Sequence, residues 1–117
     1  MQHHVKNRTL GRTRRGRTAL LRGLALSLFK EGRIKTTEAK AKELRPFAEK
    51  LITTALKDTV SARRIVSTRL GEPKEDVIKH IFTDVAPKYK ERAGGYTRII
   101  KMGRTPAGRD EAVIELV

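Results

Sequence analysis

The spacing of the apolar residues changes along the chain, and this change limits the folds open to it. Between residues 18 and 85 apolar side chains recur every three or four positions, as they do along one side of an α-helix. Two later runs, 96–102 and 112–117, are short and rich in β-branched residues, which is typical of strands. This order predicts helices packed against a small sheet, the α+β class.

Capping and helix-breaking residues predict where the first elements begin and end. The first helix is expected from about Thr18 to Gly32, because glycine readily adopts the left-handed conformation at a helix C-terminus. A short strand follows at 34–37, and Thr37 can cap a second helix of about five turns. Within that helix Pro46 is expected to cause a kink or to mark a junction, since it cannot donate a backbone hydrogen bond.

Two further helices are predicted before the β-prone runs. The third follows Asp58 or Thr59, and the fourth extends from about Pro73 to Pro87. Ile65 has helical spacing with its apolar neighbours and is expected to point inward. The predicted order is therefore α-β-α-α-α-β-β, a single α+β domain with helices packed on one side of a small three-stranded sheet.

Residues 1–16 differ from the rest of the chain in having almost no apolar side chains. After Met1 only Val5 and Leu10 are sizeable, so this segment has no face that could join a core. We expect it to be a basic extended arm that becomes ordered on a binding partner, with residues 17–117 forming the domain.

The net charge indicates the class of that partner. The chain has 27 Lys and Arg residues against 13 Asp and Glu, a formal net charge of +14. A net charge of about 2–8 already suffices for solubility, so this excess favours a polyanion such as nucleic acid. The excess is greatest near the N-terminus, where residues 1–37 hold ten basic residues and one acid, Glu31.

The residue types favour structured RNA within the class of nucleic acids. Arginine can bind a phosphate with two parallel hydrogen bonds, and proteins contact duplex RNA mainly through phosphates, 2′-hydroxyls and shape. The chain has only 2 Tyr and 3 Phe, too few for a surface that stacks single-stranded bases. The residues predicted to contact RNA are Lys6, Arg8, Arg12, Arg14, Arg15, Arg17, Arg22, Arg33, Lys35, Lys40, Lys42, Arg63, Arg64, Lys88, Lys90, Arg92 and Arg98.

Residues suited to catalysis or metal binding do not form a recognisable pattern. The chain has no Cys, and its three His residues, His3, His4 and His80, are not joined by carboxylates at metal-ligand spacing. Glu75 and Asp76 are adjacent on a helix and so point about 100° apart. We predict no catalytic residue, no metal site, no cofactor and no small-molecule substrate.

The location expected from the sequence is the cytoplasm. No apolar run approaches the roughly 18–20 residues of a membrane helix, and the N-terminus lacks the apolar segment of a secretory signal. We therefore expect no membrane partner.

Several longer motifs resemble one protein family. They are EGRIKTT at 31–37, AKAKELR at 39–45, APKY at 86–89, GGYTRI at 94–99 and AVIEL at 112–116. In this order they resemble the bacterial large-subunit ribosomal protein L-seventeen family over nearly the whole chain.

The resemblance implies a location and protein partners that the residues alone do not indicate. It implies a fold of one helix, one strand, three helices and two strands. It also implies a structural role in the large ribosomal subunit, supporting translation, with binding to large-subunit ribosomal RNA near the polypeptide exit tunnel. The expected protein partners are neighbouring large-subunit proteins, among them one small ribosomal protein.

Two other functions compete with this one. A DNA-compacting protein is expected to show a recognition helix, a dimer seam or minor-groove wedges. A small RNA-processing enzyme needs titratable groups gathered in a pocket. The sequence favours neither pattern.

Overall fold

The computed structural model describes residues 13–117, so the predictions for Lys6, Arg8 and Arg12 lie outside the described residues. The elements in chain order are α1 Arg14–Glu31, β1 Arg33–Thr37, α2 Glu38–Ala55, α3 Val60–Arg69, α4 Glu75–His80, β2 Thr97–Arg104 and β3 Asp110–Leu116. This order confirms the predicted α+β fold and the succession α-β-α-α-α-β-β.

Helix α1 begins at Arg14, earlier than the sequence pattern predicts. The Thr13 hydroxyl accepts a hydrogen bond from the Gly16 backbone N–H at 3.1 Å, and this cap starts the helix before its first apolar residue. The last three residues of the expected extended arm, 14–16, are therefore helical. At the other end Gly32 has φ +82°, the left-handed conformation expected of a helix-terminating glycine.

Helix α2 is the central element and has the cap that the sequence predicts. The Thr37 hydroxyl accepts from the Lys40 backbone N–H at 3.3 Å. The helix continues through Pro46 to Ala55 as one element of 18 residues. Its apolar side is fully buried, and this packing stabilises the helix despite the hydrogen bond that Pro46 cannot make.

Helix α3 begins after Thr59, whose hydroxyl accepts from the Ala62 backbone N–H at 3.0 Å. It buries one row spaced by four residues, Ala62, Val66 and Leu70. The prediction that Ile65 points inward is wrong, because this side chain lies about 100° from Val66 around the helix and is 44% exposed.

The fourth helix changes type along its length. The α-helical part ends at His80, and the chain continues as a π-helical turn, Ile81–Val85, and a 3₁₀ turn, Ala86–Tyr89. Pro87, which was expected to end the helix, lies in the first turn of the 3₁₀ segment. The changes of helix type accommodate a residue that has no N–H to donate.

The sheet is antiparallel throughout, with β3 between β1 and β2. Ile34, Ile114 and Ile99 lie opposite one another across the three strands, on the face that packs against the helices. Because side chains alternate along a strand, the neighbouring row faces away from the helices. It consists of Arg33, Glu115 and Arg98.

Two hydrogen bonds fasten the last residue, Val117, to the domain. The Tyr89 hydroxyl donates to the Val117 carbonyl at 2.8 Å, and the Val117 N–H donates to the Tyr96 carbonyl at 3.0 Å. Burial raises the pKa of Tyr89, since the charged phenolate is disfavoured away from water.

Candidate RNA-binding surface

The predicted contacts on α1 divide between two rows of the helix. Arg14, Arg17 and Leu21 are spaced by three and four residues and share one side, whereas Arg15 and Arg22 are two turns apart on another. Leu21 is buried, so the first row lies at the edge of the core. The Arg14 and Arg15 side chains are exposed in a first turn that contains no acid.

Arg17 makes an ion pair inside the domain. Its Nη2 lies 3.0 Å from Oε2 of Glu43 on α2, and the Arg17 side chain is only 19% exposed. Glu43 itself is buried, which is unusual for a carboxylate and requires a charged or hydrogen-bonding partner. Arg17 therefore fastens α1 to α2, a role that its position in the sequence did not indicate.

Arg22 joins α1 to the end of α3. Its Nε–H donates to the carbonyl oxygen of Arg69 at 2.9 Å, which satisfies a carbonyl in the last turn of that helix. This contact brings Arg69 beside α1. Lys50 of α2 lies on the same side of the molecule as Arg17 and Arg69.

These six cations form a surface that we call the helical basic surface: Arg14, Arg15, Arg17, Arg22, Lys50 and Arg69. Lys50 and Arg69 are not among the contacts predicted from the sequence. The only sequence signal for Lys50 is its spacing of seven residues from Glu43, which places both on one side of α2. Arg69 is in the last turn of α3, where a cation is expected for helix stability alone.

Arg33, Lys35 and Arg98 lie on the opposite face of the sheet from the helices. Arg98 Nε–H donates to Glu115 Oε1 at 2.8 Å, and Arg33 Nε is 3.9 Å from Glu115 Oε2. Lys35 Nζ is 3.4 Å from Glu111 Oε1. We call these five charged residues the open sheet face. Each of its cations is within ion-pair distance of a carboxylate of the central strand.

The two predicted lysines of α2 lie in its first turns. Lys42 Nζ is 2.9 Å from Glu38 Oε1, and Lys101 of β2 is 3.7 Å from the same oxygen. The hydrogen bond with Lys42, assisted by the charge of Lys101, holds the pKa of Glu38 below its ordinary value of 4.5. Lys40 is half-buried beside the Thr37 cap.

Two predicted contacts lie on α3. Arg63 Nη2 is 3.2 Å from Asp58 Oδ1, and its guanidinium lies over the Phe82 ring at 5.1 Å from the centroid. Arg64 is exposed.

Lys88, Lys90 and Arg92 are exposed around the turn that precedes β2. Arg92 Nη1 donates to the Gly95 carbonyl at 3.4 Å. The predicted residues are therefore distributed over several surfaces, and their contacts with RNA remain predictions.

His80 has a structural environment. Its Nε2 lies 3.0 Å from the Phe29 carbonyl oxygen and its Nδ1 lies 2.9 Å from Asp84 Oδ2, so the ring links α4 to the end of α1. Within residues 13–117 no group of three or more His, Cys, Asp or Glu residues is arranged to hold a metal ion. In the same part of the chain, no helix combines the length and apolarity needed to cross a membrane.

The fold and the distribution of charge define a small basic α+β domain with exposed cations on both its helices and its sheet. The family model described as "Ribosomal protein L17" matches residues 20–117. The chain belongs to this ribosomal protein family.

Three relatives illustrate the similarity, and each bears the name "Large ribosomal subunit protein bL17". The protein from Gemmatimonas aurantiaca is 49% identical, covering 100% of this chain and 98% of its own length. The protein from Persephonella marina is 46% identical, covering 100% and 95%. The protein from an Exiguobacterium species is 51% identical, covering 92% and 96%. The resemblance of the sequence motifs to the L-seventeen family is thereby confirmed.

Proposed function

We propose that this chain is a structural constituent of the large ribosomal subunit, which binds and stabilises large-subunit ribosomal RNA without catalysis. The names of its relatives support assignment to that subunit. The family resemblance supports a position near the polypeptide exit tunnel, within the cytoplasmic ribosome. Its partners there are ribosomal RNA and neighbouring large-subunit proteins, including one small ribosomal protein.

The observation that carries RNA binding is the electrostatics at the start of α1. Arg14 and Arg15 occupy its first turn, which contains no acid. The N-terminal end of a helix has a partial positive charge from the helix dipole. Without a ligand, this charge and the two arginines repel one another. A phosphate relieves this repulsion and releases condensed counterions when it binds. Lys6, Arg8 and Arg12 add further positive charge just before this end.

Co-sedimentation tests the assignment to the ribosome. The tagged full-length protein should sediment with large subunits in a sucrose gradient and dissociate from them only at high salt, because phosphate contacts weaken as salt is added. Sedimentation apart from large subunits at low salt would contradict the proposal.

Filter binding tests the nature of the ligand. The purified protein should bind structured large-subunit ribosomal RNA more tightly than duplex DNA of equal length at physiological salt. Equal affinities would instead favour a DNA-compacting protein. Sustained cleavage or modification of the RNA by the purified protein would favour an RNA-processing enzyme.

A further inference from the structure

A small cleft lies within the helical basic surface, where α1, α2 and the end of α3 meet. Its volume is about 170 Å³. It is lined by Arg17, Leu21, Glu43, Pro46, Phe47, Lys50 and Arg69. Cations from three helices thus converge on one concave site, although they are 52 positions apart in the sequence at their extremes, Arg17 and Arg69.

Two of these cations are available to an anion. Lys50 and Arg69 are exposed, and within residues 13–117 neither has a carboxylate at ion-pair distance. The one acid of the cleft, Glu43, is buried and paired with Arg17. This pairing offsets the charge that would otherwise repel an incoming phosphate. The opening of the cleft is therefore positively charged, and the buried acid beneath it is neutralised by its ion pair.

The cleft is also held in shape before any ligand binds. The Arg17–Glu43 ion pair joins α1 to α2, and the hydrogen bond from Arg22 to the Arg69 carbonyl joins α1 to α3. Both contacts fix the backbone positions from which Lys50 and Arg69 extend. A prearranged site loses less conformational entropy on binding.

The size of the cleft limits what it can hold. Pockets for whole small-molecule ligands usually measure about 300–1,000 Å³, which is larger than this one. A single phosphate group is smaller, and the apolar surfaces of Pro46 and half-buried Phe47 can contact the attached ribose. The geometry thus favours a portion of a polymer backbone over a free nucleotide.

We propose that this cleft binds one phosphodiester group of the RNA backbone, with Lys50 and Arg69 as the contacting side chains. This inference rests on the proposed function, because it locates one contact of the same RNA. Arg69 also has a structural role, since a cation in the last turn of α3 stabilises the helix. Lys50 has no such role, and so it is the more diagnostic residue.

The test compares two double variants of the full-length protein in binding to large-subunit ribosomal RNA over a range of salt concentrations. Lys50→Gln/Arg69→Gln removes the cleft cations. Lys57→Gln/Arg109→Gln removes the same charge from exposed positions outside the cleft. Losing one phosphate contact should lower the slope of log affinity against log salt by about 0.7–0.9 in the cleft variant only. Lys50→Arg should retain the wild-type slope.

Lysine acetylation of the wild-type protein provides a readout that does not depend on how the variants fold. In the RNA complex Lys50 should be protected from the reagent, whereas Lys57 should remain reactive. An unprotected Lys50 in the complex would overturn the inference.

The outcomes separate this inference from the proposed function. If the wild-type protein does not bind the RNA, the proposed function fails. If it binds and the cleft variant has the wild-type slope, or if both double variants lose slope equally, the cleft is not the contact, and RNA binding itself stands.

Discussion

The helical basic surface and the open sheet face both present arginine and lysine side chains, but they differ in whether those cations are paired with carboxylates. On the open sheet face, Arg33, Lys35 and Arg98 each lie beside Glu111 or Glu115. On the helical basic surface, five of the six cations have no carboxylate at ion-pair distance within residues 13–117. Arg22 donates to a backbone carbonyl, and the other four are Arg14, Arg15, Lys50 and Arg69. A count of basic residues does not distinguish the two surfaces, whereas their partners do.

The difference matters because RNA binding depends on what each cation must give up. A cation that is paired with a carboxylate must weaken or break that ion pair to bind a phosphate. The carboxylate also repels the incoming phosphate. A cation without a partner exchanges only water and mobile ions. We therefore expect the helical basic surface to supply more of the RNA affinity than the open sheet face.

The largest expected effect comes from removing the same charges from each surface in turn. Arg14→Gln/Arg15→Gln/Lys50→Gln removes two arginines and one lysine from the helices. It should lower the slope of log affinity against log salt by about 2–3, since each phosphate contact contributes about 0.7–0.9. Filter binding to large-subunit ribosomal RNA at several salt concentrations measures this slope.

The matched control is Arg33→Gln/Arg98→Gln/Lys35→Gln, which removes the same residue types from the open sheet face. Its slope should fall by less than about 1. Equal losses in the two triple variants would remove the distinction between the surfaces.

The next effect concerns the contact that joins the helices to the sheet. Glu49 Oε2 on α2 accepts from the backbone N–H of Thr97 at 3.1 Å and from its hydroxyl at 2.7 Å. Thr97 is buried, so Glu49→Ala leaves these donors without a partner and should reduce the free energy of unfolding by about 1.5–3 kcal/mol. Urea denaturation measures this loss. Glu91→Ala, at an exposed acid, should change it by less than about 0.5 kcal/mol, and equal effects would show that the Glu49 contact is unimportant.

A smaller effect is expected from freeing the cations of the open sheet face. Glu111→Gln/Glu115→Gln removes their carboxylate partners and should raise RNA affinity and steepen the salt dependence by up to about 2 in slope. Glu72→Gln/Glu91→Gln makes the same change in net charge at exposed acids away from the sheet. If both pairs raise the affinity equally, net charge explains the gain and local pairing does not.

The smallest effect is a pH dependence at the start of α2. Glu38 has a lowered pKa in the folded protein, chiefly because of its hydrogen bond with Lys42. A carboxyl with a lowered folded pKa stabilises the fold above its unfolded pKa, and this contribution disappears as the pH falls through the folded value. Urea denaturation of the wild type and Glu38→Gln should therefore differ at neutral pH and converge well below pH 4.5. A difference that persists at acid pH would point to a cause other than the charge.

Local sequence determined most of the secondary structure of this protein. Thr37 and Thr59 cap helices in the way that their side chains predict, and Gly32 ends α1. These signals depend on contacts within one turn of the chain, so they can be recognised without knowing the fold. The start of α1 was not predicted, because the residues that follow the Thr13 cap have no apolar side chains at helical spacing. The family also followed from the sequence, since long motifs in order are specific.

Only the tertiary structure decided which cations are paired and which cluster together. Arg33 meets Glu115 because an antiparallel register aligns residues that are 82 positions apart, and Arg17 meets Glu43 because α1 packs on α2. Lys50 and Arg69 became candidates in the same way, through the packing of three helices around one cleft. Charge interactions depend on distance in space, and the sequence alone specifies only distance along the chain. Composition therefore indicated a polyanion, and the fold determined which side chains are available to bind it.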